Sequence, residues 1–379
     1  MFLRADLNVP LEGGAVTDDT RLTAVMPTIE HALKERAAVV LASHLGRPKG
    51  KPAPEYSLRP VAQRLGALLG RRVPLAPDCV GPETEARARE LPAGEILLLE
   101  NLRFHAEEEA NDDGFARQLA VLADCYVNDA FAAAHRAHAS IEAITRHLKP
   151  AAAGFLMRRE LEALTRILER PERPLVAILG GAKVSDKLAL VEHLLERVDA
   201  LVIGGGMAFT FLRALGHDVG RSLVEADRVD TARRVLESAR RRGVHLLLPV
   251  DAIVAAGTDS PEGRAVGIRE ISPAQMGLDI GPLTVDRFTA SLRTARTIVW
   301  NGPMGVFEKA PFAAGTLALA RAVAEGPAFS VVGGGDTVAA VTRAGVAERI
   351  GYISTAGGAF LEFLEGRTLP GVEALTEAP

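Results

Sequence analysis

Short apolar runs alternate along this chain with longer stretches in which apolar residues recur every three or four positions. The short runs have the length of buried strands, and stretches such as Leu22, Val25 and Ile29 have the spacing of an amphipathic helix. Strands that alternate with helices predict parallel sheets with helices on both faces. The predicted strands are Phe2–Ala5, Ala38–Ala42, Glu95–Leu99, Cys125–Val127, Leu175–Leu179, Ala200–Ile203, Val244–Leu248, Thr297–Trp300, Phe329–Val332 and Tyr352–Ser354.

The predicted fold class is α/β, with two Rossmann-like, doubly wound parallel-sheet domains joined by a helix and an interdomain cleft. At 379 residues the chain has the length of two or three domains. Its likeliest boundary is Phe155–Arg170, which has the apolar spacing of one helix. We therefore expect an N-terminal domain over residues 1–154, an interdomain helix over 155–170 and a C-terminal domain over 171–362. Val254–Pro282 is less regular and is expected to be rich in loops.

Nearly every polar motif follows directly after a predicted strand. In open α/β sheets, ligands bind beyond the carboxyl ends of the strands. Two such sheet edges facing each other would form one ligand-binding cleft. The motifs are Asp6–Asn8, Ser43–Arg47, Glu100–Arg103 and Asn128–Asp129 in the first half, and Gly180–Lys187, Gly204–Gly206, Asn301–Pro303 and Gly333–Thr337 in the second.

The first half of the chain is rich in side chains that bind anions. These are Arg21, His44, Arg47, Arg103, His135, Arg136 and His138. The planar fork of arginine matches carboxylate and phosphate oxygens. For any single one, a surface salt bridge is the simpler explanation, but their shared placement after strands favours a small, highly anionic ligand. His135 and His138 have a spacing that metal ligands use, yet without a third soft ligand an anion site is favoured.

The glycine loops of the second half have the layout of phosphate sites. Lys183 and Lys187 lie four residues apart at the expected start of a helix, which predicts two ammonium groups on one helical face. An anion would offset their repulsion, although solvated lysines at an ordinary helix start are the alternative. Asp336 follows a similar glycine loop, where Mg²⁺ would reconcile its carboxylate with phosphate, unless it is only a helix N-cap. The N–H groups around Gly357 and Gly358 could face a developing anion.

Composition and motif searches argue against several other functions. A net charge of −4 and 4% aromatic residues give no support to nucleic-acid binding. Cys79 and Cys125 lie far apart and outside any C-x-x-C pattern, which argues against a disulfide framework or a zinc site and favours a reducing cytoplasm. No apolar run approaches the ~18 residues of a membrane span. The chain also lacks the P-loop and the G-x-G-x-x-G fingerprint of dinucleotide-binding proteins.

Together and in this order, the motifs resemble those of the phosphoglycerate kinase family along essentially the whole chain. The resemblance implies reversible phosphoryl transfer between ATP and the carboxylate of 3-phosphoglycerate, giving ADP and 1,3-bisphosphoglycerate, by direct in-line transfer after domain closure. The matching stretches are Asp6–Pro10, Ser43–Pro48, Leu98–Arg103, Asn128–Phe131, His135–His138, Gly180–Lys187, Gly204–Phe209, Trp300–Phe307 and Gly333–Thr337.

The resemblance also implies a role for each matching residue. The glycerate would be bound by Asp6, Leu7, Asn8, Arg21, His44, Leu45, Gly46, Arg47, Arg103 and Arg136. The Mg²⁺-nucleotide would be bound by Lys187, Gly205, Gly277, Asn301, Glu308, Gly334, Gly335, Asp336 and Thr337, with Asp336 on the metal. The groups flanking the transferred phosphoryl would be Arg21, Lys183, Gly357 and Gly358. A tail over residues 363–379 would return to the N-terminal domain of a cytoplasmic monomer.

The chain departs from the family pattern at a few positions. Ala132 and Ala133 stand where the family commonly has Gly-Thr, and Ala356 stands where it has a third glycine. Because alanine has less backbone freedom, Ala356 predicts a stiffer or slightly displaced anion loop. The alternatives to an active kinase are a nicotinamide-dependent dehydrogenase, a two-lobe anion-binding protein and a catalytically impaired relative. The missing dinucleotide fingerprint disfavours the first.

Overall fold

The structure is a computed structural model that describes residues 1–375; residues 376–379, the end of the predicted tail, lie outside the described residues. The strands are β1 (Phe2–Ala5), β2 (Leu11–Glu12), β3 (Ala15–Val16), β4 (Val39–Ala42), β5 (Ile96–Leu98), β6 (Tyr126–Asp129), β7 (Ala151–Ala153), β8 (Leu175–Leu179), β9 (Ala200–Ile203), β10 (His245–Leu247), β11 (Asp251–Ala255), β12 (Arg264–Gly267), β13 (Met276–Ile280), β14 (Thr297–Asn301), β15 (Phe329–Gly333) and β16 (Tyr352–Ile353). The helices are α1 (Thr20–Lys34), α2 (Arg59–Leu69), α3 (Pro82–Arg89), α4 (Ala106–Glu109), α5 (Asp113–Ala120), α6 (Phe155–Leu168), α7 (Leu188–Leu194), α8 (Met207–Ala214), α9 (Val229–Arg242), α10 (Pro282–Thr294), α11 (Ala314–Glu325), α12 (Gly335–Arg343), α13 (Gly358–Leu364) and α14 (Pro370–Glu373).

The described chain divides into two compact units. The first contains residues 1–162 and 368–375, and the second contains residues 163–367. The division falls within α6, the helix that occupies most of the predicted connecting segment. The final segment belongs to the first unit, where the N–H of Gly371 donates to the carbonyl of Ala134 at 2.9 Å. No helix within residues 1–375 is long and apolar enough to cross a lipid bilayer.

The first unit is built on a five-stranded parallel sheet in the order β5-β4-β1-β6-β7. Neighbouring residues of β1 face opposite sides, since Phe2 and Leu3 belong to different hydrophobic cores. Helices therefore cover both faces, as the sequence predicts. Strand β7 was not predicted because its three alanines lack the β-branched or aromatic side chains typical of strands.

Helix α1 shows how the sequence produces the covering layer. The side chain of Asp18 accepts hydrogen bonds from the N–H and hydroxyl of Thr20 at 2.8 and 2.6 Å, which stabilises the turn that begins the helix. Along the helix, Leu22, Val25 and Ile29 are buried in the core that also contains Leu3. The spacing of three and four residues therefore places one apolar stripe against the sheet.

The second unit contains a six-stranded parallel sheet in the order β10-β9-β8-β14-β15-β16. The connections run outward in one direction from β8 and in the other from β14. The topological switch point therefore lies between these two strands, and in the first unit it lies between β1 and β6. Ligands bind at such switch points in doubly wound folds. Each predicted strand overlaps an observed strand of the two parallel sheets.

The expectation of a loop-rich segment at Val254–Pro282 is correct only in part: residues 256–263 and 271–275 lie in loops, but the segment also contributes to a small sheet. Strands β11, β12 and β13 form a three-stranded antiparallel sheet in the order β12-β11-β13. Gly277 and Asp279 interrupt the apolar pattern of β13, although both are buried in the structure. The strand is stabilised by pairing with β11 rather than by its own propensity, which is why its sequence does not reveal it.

Candidate active site

In the first unit, the loop after β1 orients an arginine. The carboxylate of Asp6 accepts a hydrogen bond from Nη1 of Arg21 at 2.7 Å and another from the N–H of Asn8 at 3.1 Å. The side chain of Asp6 is only 9% exposed, whereas that of Arg21 is 36% exposed. The carboxylate of Asp6 therefore holds the guanidinium of Arg21 in place and leaves part of it open to solvent.

The loop after β4 is joined to its neighbours by side-chain amides. Oδ1 of Asn8 accepts from the N–H of Gly46 at 2.9 Å, while the side chain of Asn101 hydrogen-bonds both the N–H and the carbonyl of Leu45. Gly46 has φ +61°, and a Cβ there would lie 2.3 Å from the ring of Tyr56. Only glycine therefore fits this position without displacing the aromatic ring.

Three predicted ligand-binding arginines in and near this loop differ in burial and in their hydrogen-bond partners. Arg103 is buried, donates to the carbonyl of Gly46 at 2.8 Å and lies 3.3 Å from the carboxylate of Glu109. Arg47 is exposed, and neither a hydrogen bond nor an ion pair involves it within residues 1–375. Arg136 is also exposed and its Nε donates to Nε2 of His135 at 3.1 Å. Arg47 and Arg136 are thus the guanidinium groups with most capacity left for a ligand.

Two imidazoles of the first unit are buried and neutral. Burial, reinforced by Arg4 and Arg103, holds the pKa of His44 well below its usual value and lowers that of His138 to about 3. Nη2 of Arg4 lies 3.1 Å from Nδ1 of His44. Because a guanidinium can only donate, Nδ1 is the acceptor and the ring proton lies on Nε2. His44 therefore acts as a neutral hydrogen-bond donor through Nε2.

In the second unit, the lysine pair lies differently from the sequence prediction. Residues Ser185–Lys187 form a 3₁₀ turn and helix α7 begins only at Leu188, so Lys183 and Lys187 do not share a helical face. The glycine-rich loop delays the helix by making its hydrogen bonds elsewhere: the N–H of Gly181 donates to the carbonyl of Pro303 at 3.0 Å. The expectation that both ammonium groups share one helical face is therefore wrong.

The two lysines have different surroundings. Lys183 is exposed and makes neither a hydrogen bond nor an ion pair within the described part of the chain. Lys187 is partly buried, and its ammonium donates to the main-chain carbonyl of Asn301 at 3.0 Å and to the side-chain oxygen of the same residue. Burial lowers the pKa of Lys187 to about 8, an effect that Asp336 and Asp186 partly oppose.

Asparagine 301 links the ends of three neighbouring strands. Besides accepting from Lys187, which follows β8, Asn301 at the end of β14 donates through Nδ2 to the carbonyl of Gly333 in β15 at 2.8 Å. The hydroxyl of Thr337 accepts from the N–H of Gly302 at 2.7 Å. The loops that the sequence predicts for nucleotide binding are therefore held together at the switch point.

Asp336 lies in the first turn of α12 with its carboxylate exposed. The N-cap of that helix is Gly334, and no side chain caps it, so the alternative prediction of Asp336 as N-cap is wrong. Within residues 1–375 the carboxylate accepts no hydrogen bond and forms no ion pair. An acidic oxygen ligand is thus available beside the glycine loop.

A cavity of about 360 Å³ adjoins these loops in the second unit. Four of the predicted nucleotide-binding residues line it, namely Gly205, Gly277, Glu308 and Asp336. Gly277 is required there because a Cβ would lie 2.0 Å from Cζ of Phe209, another lining residue. Further lining residues that the sequence did not single out are Leu223, Pro249, Thr258, Met276, Leu278, Asp279 and Ile280, while Met304 and Val306 come from the matching stretch Trp300–Phe307.

Much of this additional lining comes from β13, one of the strands that the sequence analysis did not predict. Its carboxylate, Asp279, is buried and accepts from the N–H of Gly315 at 2.7 Å and of Ile280 at 2.9 Å. Burial raises the pKa of Asp279 to about 7. The short apolar run within Ala252–Ala255 is a signal that could have revealed this antiparallel sheet.

The third glycine loop leads into helix α13. Gly357 is the N-cap and Gly358 is the first helical residue. Ala356 is buried, and its N–H donates to the hydroxyl of Ser354 at 3.2 Å. The non-glycine residues with positive φ in the described chain are Arg36, Lys49 and Asn111. Ala356 therefore adopts a backbone conformation that alanine accepts readily, and no strain supports the predicted displacement.

Comparison with known proteins identifies the family to which these motifs belong. A family model described as phosphoglycerate kinase matches residues 1–367. The chain belongs to the phosphoglycerate kinase family. The phosphoglycerate kinase of Moorella thermoacetica is 58% identical over 379 residues, which cover 100% of this chain and 96% of that one. That of Acidobacterium capsulatum is 57% identical over 393 residues, with the same coverage.

Solved structures agree with this family assignment. Phosphoglycerate kinase from Coxiella burnetii superposes with a TM-score of 0.92 at 45% identity, covering 98% of this chain and 95% of that one. Phosphoglycerate kinase from Pyrococcus horikoshii gives a TM-score of 0.85 at 38% identity, covering 99% and 95%. The predicted α/β class with parallel sheets is confirmed by both the model and these neighbours.

Membership of the phosphoglycerate kinase family defines the reaction. The chain is a phosphotransferase of glycolysis that exchanges a phosphoryl group between ATP and the carboxylate of 3-phosphoglycerate. The full-length match to phosphoglycerate kinases gives no support to a dehydrogenase, a non-catalytic binding protein or an impaired relative.

Proposed function

We propose that the first unit binds 3-phosphoglycerate, that the second binds the Mg²⁺-nucleotide, and that the phosphoryl group passes directly between them. One observation carries this division of labour. The first unit gathers arginines and neutral imidazoles around its switch point, whereas the second gathers a lysine, glycine loops, a free carboxylate and a cavity around its own.

On the glycerate side, the proposed residues are Asp6, Leu7, Asn8, Arg21, His44, Leu45, Gly46, Arg47, Arg103 and Arg136. The exposed guanidinium groups of Arg47 and Arg136 supply positive charge for the phosphate end of the ligand. Arg103 is held by Gly46 and positions the loop, while Nε2 of His44 donates to a ligand oxygen. Asp6 keeps Arg21 oriented toward the ligand.

On the nucleotide side, the proposed residues are Lys187, Gly205, Gly277, Asn301, Glu308, Gly334, Gly335, Asp336 and Thr337. The cavity of about 360 Å³ has apolar walls that suit a nucleoside, with Glu308 at its exposed part. Lys187 and the glycine loops lie where the nucleotide phosphates would follow.

The residues present fit a magnesium ion. The exposed carboxylate of Asp336 accepts no hydrogen bond and forms no ion pair within residues 1–375, and it lies on the first turn of α12, beside the proposed phosphate loop. Magnesium is usually bound by one or two carboxylates together with substrate phosphates. Asp336 would hold the ion, which when bound neutralises phosphate charge and orients the phosphates.

The reaction needs little chemistry from the protein beyond positioning and charge neutralisation. A carboxylate oxygen of 3-phosphoglycerate forms a bond to the γ-phosphorus as the bond to the oxygen of ADP breaks, so no general base is required. We assign Lys183 and Arg21 to the oxygens of the transferred phosphoryl, with the N–H groups of Gly357 and Gly358. Direct transfer requires the two units to bring their ligands together and exclude water.

The remaining assignments follow from composition, cysteine usage and the family resemblance. We propose a cytoplasmic monomer whose partners are 3-phosphoglycerate, 1,3-bisphosphoglycerate, ATP and ADP, with neither nucleic acid nor membrane as a partner. Sedimentation of the purified full-length chain at several concentrations would test the monomer. A mass that rises toward that of a dimer in the working range would contradict it.

The enzymatic proposal is tested by a coupled assay with ATP, Mg²⁺ and 3-phosphoglycerate. We expect turnover that requires all three components. Arg47→Ala should raise the KM for 3-phosphoglycerate roughly 10-fold or more, because a charge-assisted hydrogen bond contributes about 1.5–3 kcal/mol. Arg72→Ala is the matched control, since Arg72 is also an exposed arginine without a partner in the described chain. No turnover above background, or equal effects of both variants, would contradict the proposal.

A further inference from the structure

Three side chains of metal-binding types meet in the first unit outside the proposed substrate site. Asp78, Cys79 and His105 place a carboxylate oxygen, a thiol sulfur and an imidazole nitrogen within 4.8 Å of one another. Within residues 1–375 this is the one group of three or more such side chains with that spacing. The phosphoryl-transfer reaction uses none of them.

Strand β5 holds the two segments that carry these side chains. On one side, the stretch before Asp78 runs along the strand, with the N–H of Leu98 donating to Pro74 at 2.9 Å and that of Ala76 donating to Leu98 at 2.8 Å. His105 comes soon after the strand, following the 3₁₀ turn Leu102–Phe104. Main-chain hydrogen bonds therefore fix the separation of the two segments before any ligand binds.

The side chains are further oriented by their own contacts. Nε2 of His105 lies 2.7 Å from Oδ1 of Asp78, and its ring stacks on Phe115 with centroids 5.1 Å apart. The same Asp78 oxygen accepts from the N–H of Cys79 at 2.6 Å. The imidazole, the carboxylate and the residue carrying the thiol are thus arranged around one point.

We propose that Asp78, Cys79 and His105 form a binding site for a single Zn²⁺ ion. A thiolate, an imidazole and a carboxylate together match the ligand preference of zinc, whereas Mg²⁺ and Ca²⁺ prefer oxygen ligands alone. Zinc–ligand bonds of about 2.0–2.3 Å in a tetrahedron separate ligand atoms by about 3.3–3.8 Å. Ligand atoms that lie up to 4.8 Å apart must therefore approach by about 1–1.5 Å, whereas Nε2 of His105 and Oδ1 of Asp78, now 2.7 Å apart, must separate by roughly 0.6 Å.

Access to the ion is one-sided. Cys79 is fully buried, while the side chains of Asp78 and His105 are 46% and 26% exposed. The sulfur therefore forms the floor of the site, and the ion enters from the carboxylate and imidazole side, where water supplies a fourth ligand. Zinc replaces the hydrogen bond between His105 and Asp78, and the thiol releases its proton to solvent on binding.

This site differs from the one that the cysteine spacing excludes. Cys79 and Cys125 give no paired-cysteine motif, and within residues 1–375 Cys125 is not part of the group that contains Cys79. The third ligand is instead His105, which lies well beyond Cys79 in the sequence. A fold-dependent juxtaposition of this kind leaves no short sequence motif.

The experiment uses the full chain, stripped of metal with a chelator and titrated with Co²⁺, which reports thiolate coordination by a charge-transfer band in the near ultraviolet. We expect the band to saturate at one equivalent and Zn²⁺ to abolish it. Cys79→Ser and His105→Gln should each remove the band, whereas Cys125→Ser, the matched control at the other cysteine, should retain it. Zn²⁺ should also raise the Tm of the unaltered chain but not that of His105→Gln.

Two outcomes would overturn the proposal. One is the absence of a thiolate band, including the case in which cobalt shows only the spectrum of oxygen ligation. The other is a band that survives in a correctly folded His105→Gln variant or disappears in Cys125→Ser. Because Cys79 is buried and its replacement alone could disturb folding, the partly exposed His105 provides the second, independent variant.

Discussion

Replacing Lys187 by methionine separates the cost of burying this ammonium group from its use in binding nucleotide. In the nucleotide-free protein its pKa falls from the ordinary value of 10.5 to about 8, chiefly because of burial. Each pKa unit corresponds to about 1.4 kcal/mol, so keeping the charge costs about 3 kcal/mol. Methionine fills a similar volume without a charge and removes that cost.

The same replacement also removes a donor. The main-chain carbonyl of Asn301 still accepts from the N–H of Gly180 at 3.0 Å, but the side-chain oxygen of Asn301 loses its partner. An unsatisfied buried acceptor costs about 1–3 kcal/mol. The two effects oppose each other, and we expect the free energy of unfolding of Lys187→Met at pH 7 to lie within about 2 kcal/mol of the unaltered chain.

The pH dependence of stability gives a cleaner signature. Because the folded-state pKa of Lys187 is lower than the unfolded one, the unfolded chain carries the extra proton between pH of about 8 and 10.5. The free energy of unfolding should therefore rise with pH across that window in the unaltered chain, and Lys187→Met should lack this contribution. Denaturant unfolding between pH 7 and 10.5 measures both slopes.

Whereas Lys187→Met should change stability little at pH 7, it should clearly weaken nucleotide binding. Loss of a charge-assisted hydrogen bond of about 1.5–3 kcal/mol weakens ATP and ADP binding roughly 10–150-fold. Isothermal titration of Lys187→Met with each nucleotide measures the Kd. An unchanged Kd together with an unchanged pH slope would refute the assignment of Lys187 as a partly buried phosphate ligand.

Three further changes test separate parts of the structure. Gly277→Ala puts a Cβ 2.0 Å from the ring of Phe209, so we expect a loss of about 1–3 kcal/mol in unfolding free energy and weaker nucleotide binding. Gly257→Ala, where nothing lies within 4 Å, is its control, and equal effects would contradict the prediction. Asp336→Asn should remove the Mg²⁺ dependence of nucleotide affinity in titrations with and without the ion; a retained dependence would argue against the metal role. His138, with a folded pKa of about 3, should make unfolding easier as pH falls below about 6.5, by about 1.4 kcal/mol per pH unit. His138→Gln should flatten that slope in denaturant melts, and parallel curves would be the contrary result.

The parallel sheets were predictable because their strands are short, apolar and separated by stretches with helical spacing. Strands such as Leu175–Leu179 are buried along their whole length, so burial and sequence pattern agree. Strands β7 and β13 escaped prediction for a physical reason. Three alanines, or a glycine and an aspartate within five residues, form a strand only because a neighbouring strand supplies the hydrogen bonds.

Some features of the candidate site could likewise be predicted from the sequence, and others could not. Loops that follow buried strands are placed by sheet topology, so the positions of Asp6, Gly46 and Asn301 at strand ends could be predicted. The relation between Lys183 and Lys187 could not, because the side chain of Lys187 hydrogen-bonds Asn301, 114 positions away, and because a 3₁₀ turn stands where the sequence predicts a helix. The walls of the nucleotide cavity likewise depend on tertiary contacts that no local pattern encodes.

The most direct test of the proposed mechanism is the turnover of Lys183→Ala, measured with saturating ATP, Mg²⁺ and 3-phosphoglycerate, alongside its ATP Kd. Lys183 is exposed and without a partner in the described residues, so its replacement should leave the fold unchanged. If it stabilises the transferring phosphoryl, kcat should fall by roughly 10³-fold or more while the ATP Kd changes only a few-fold. A kcat within about tenfold of the unaltered enzyme, or a loss confined to ATP affinity, would contradict the mechanism.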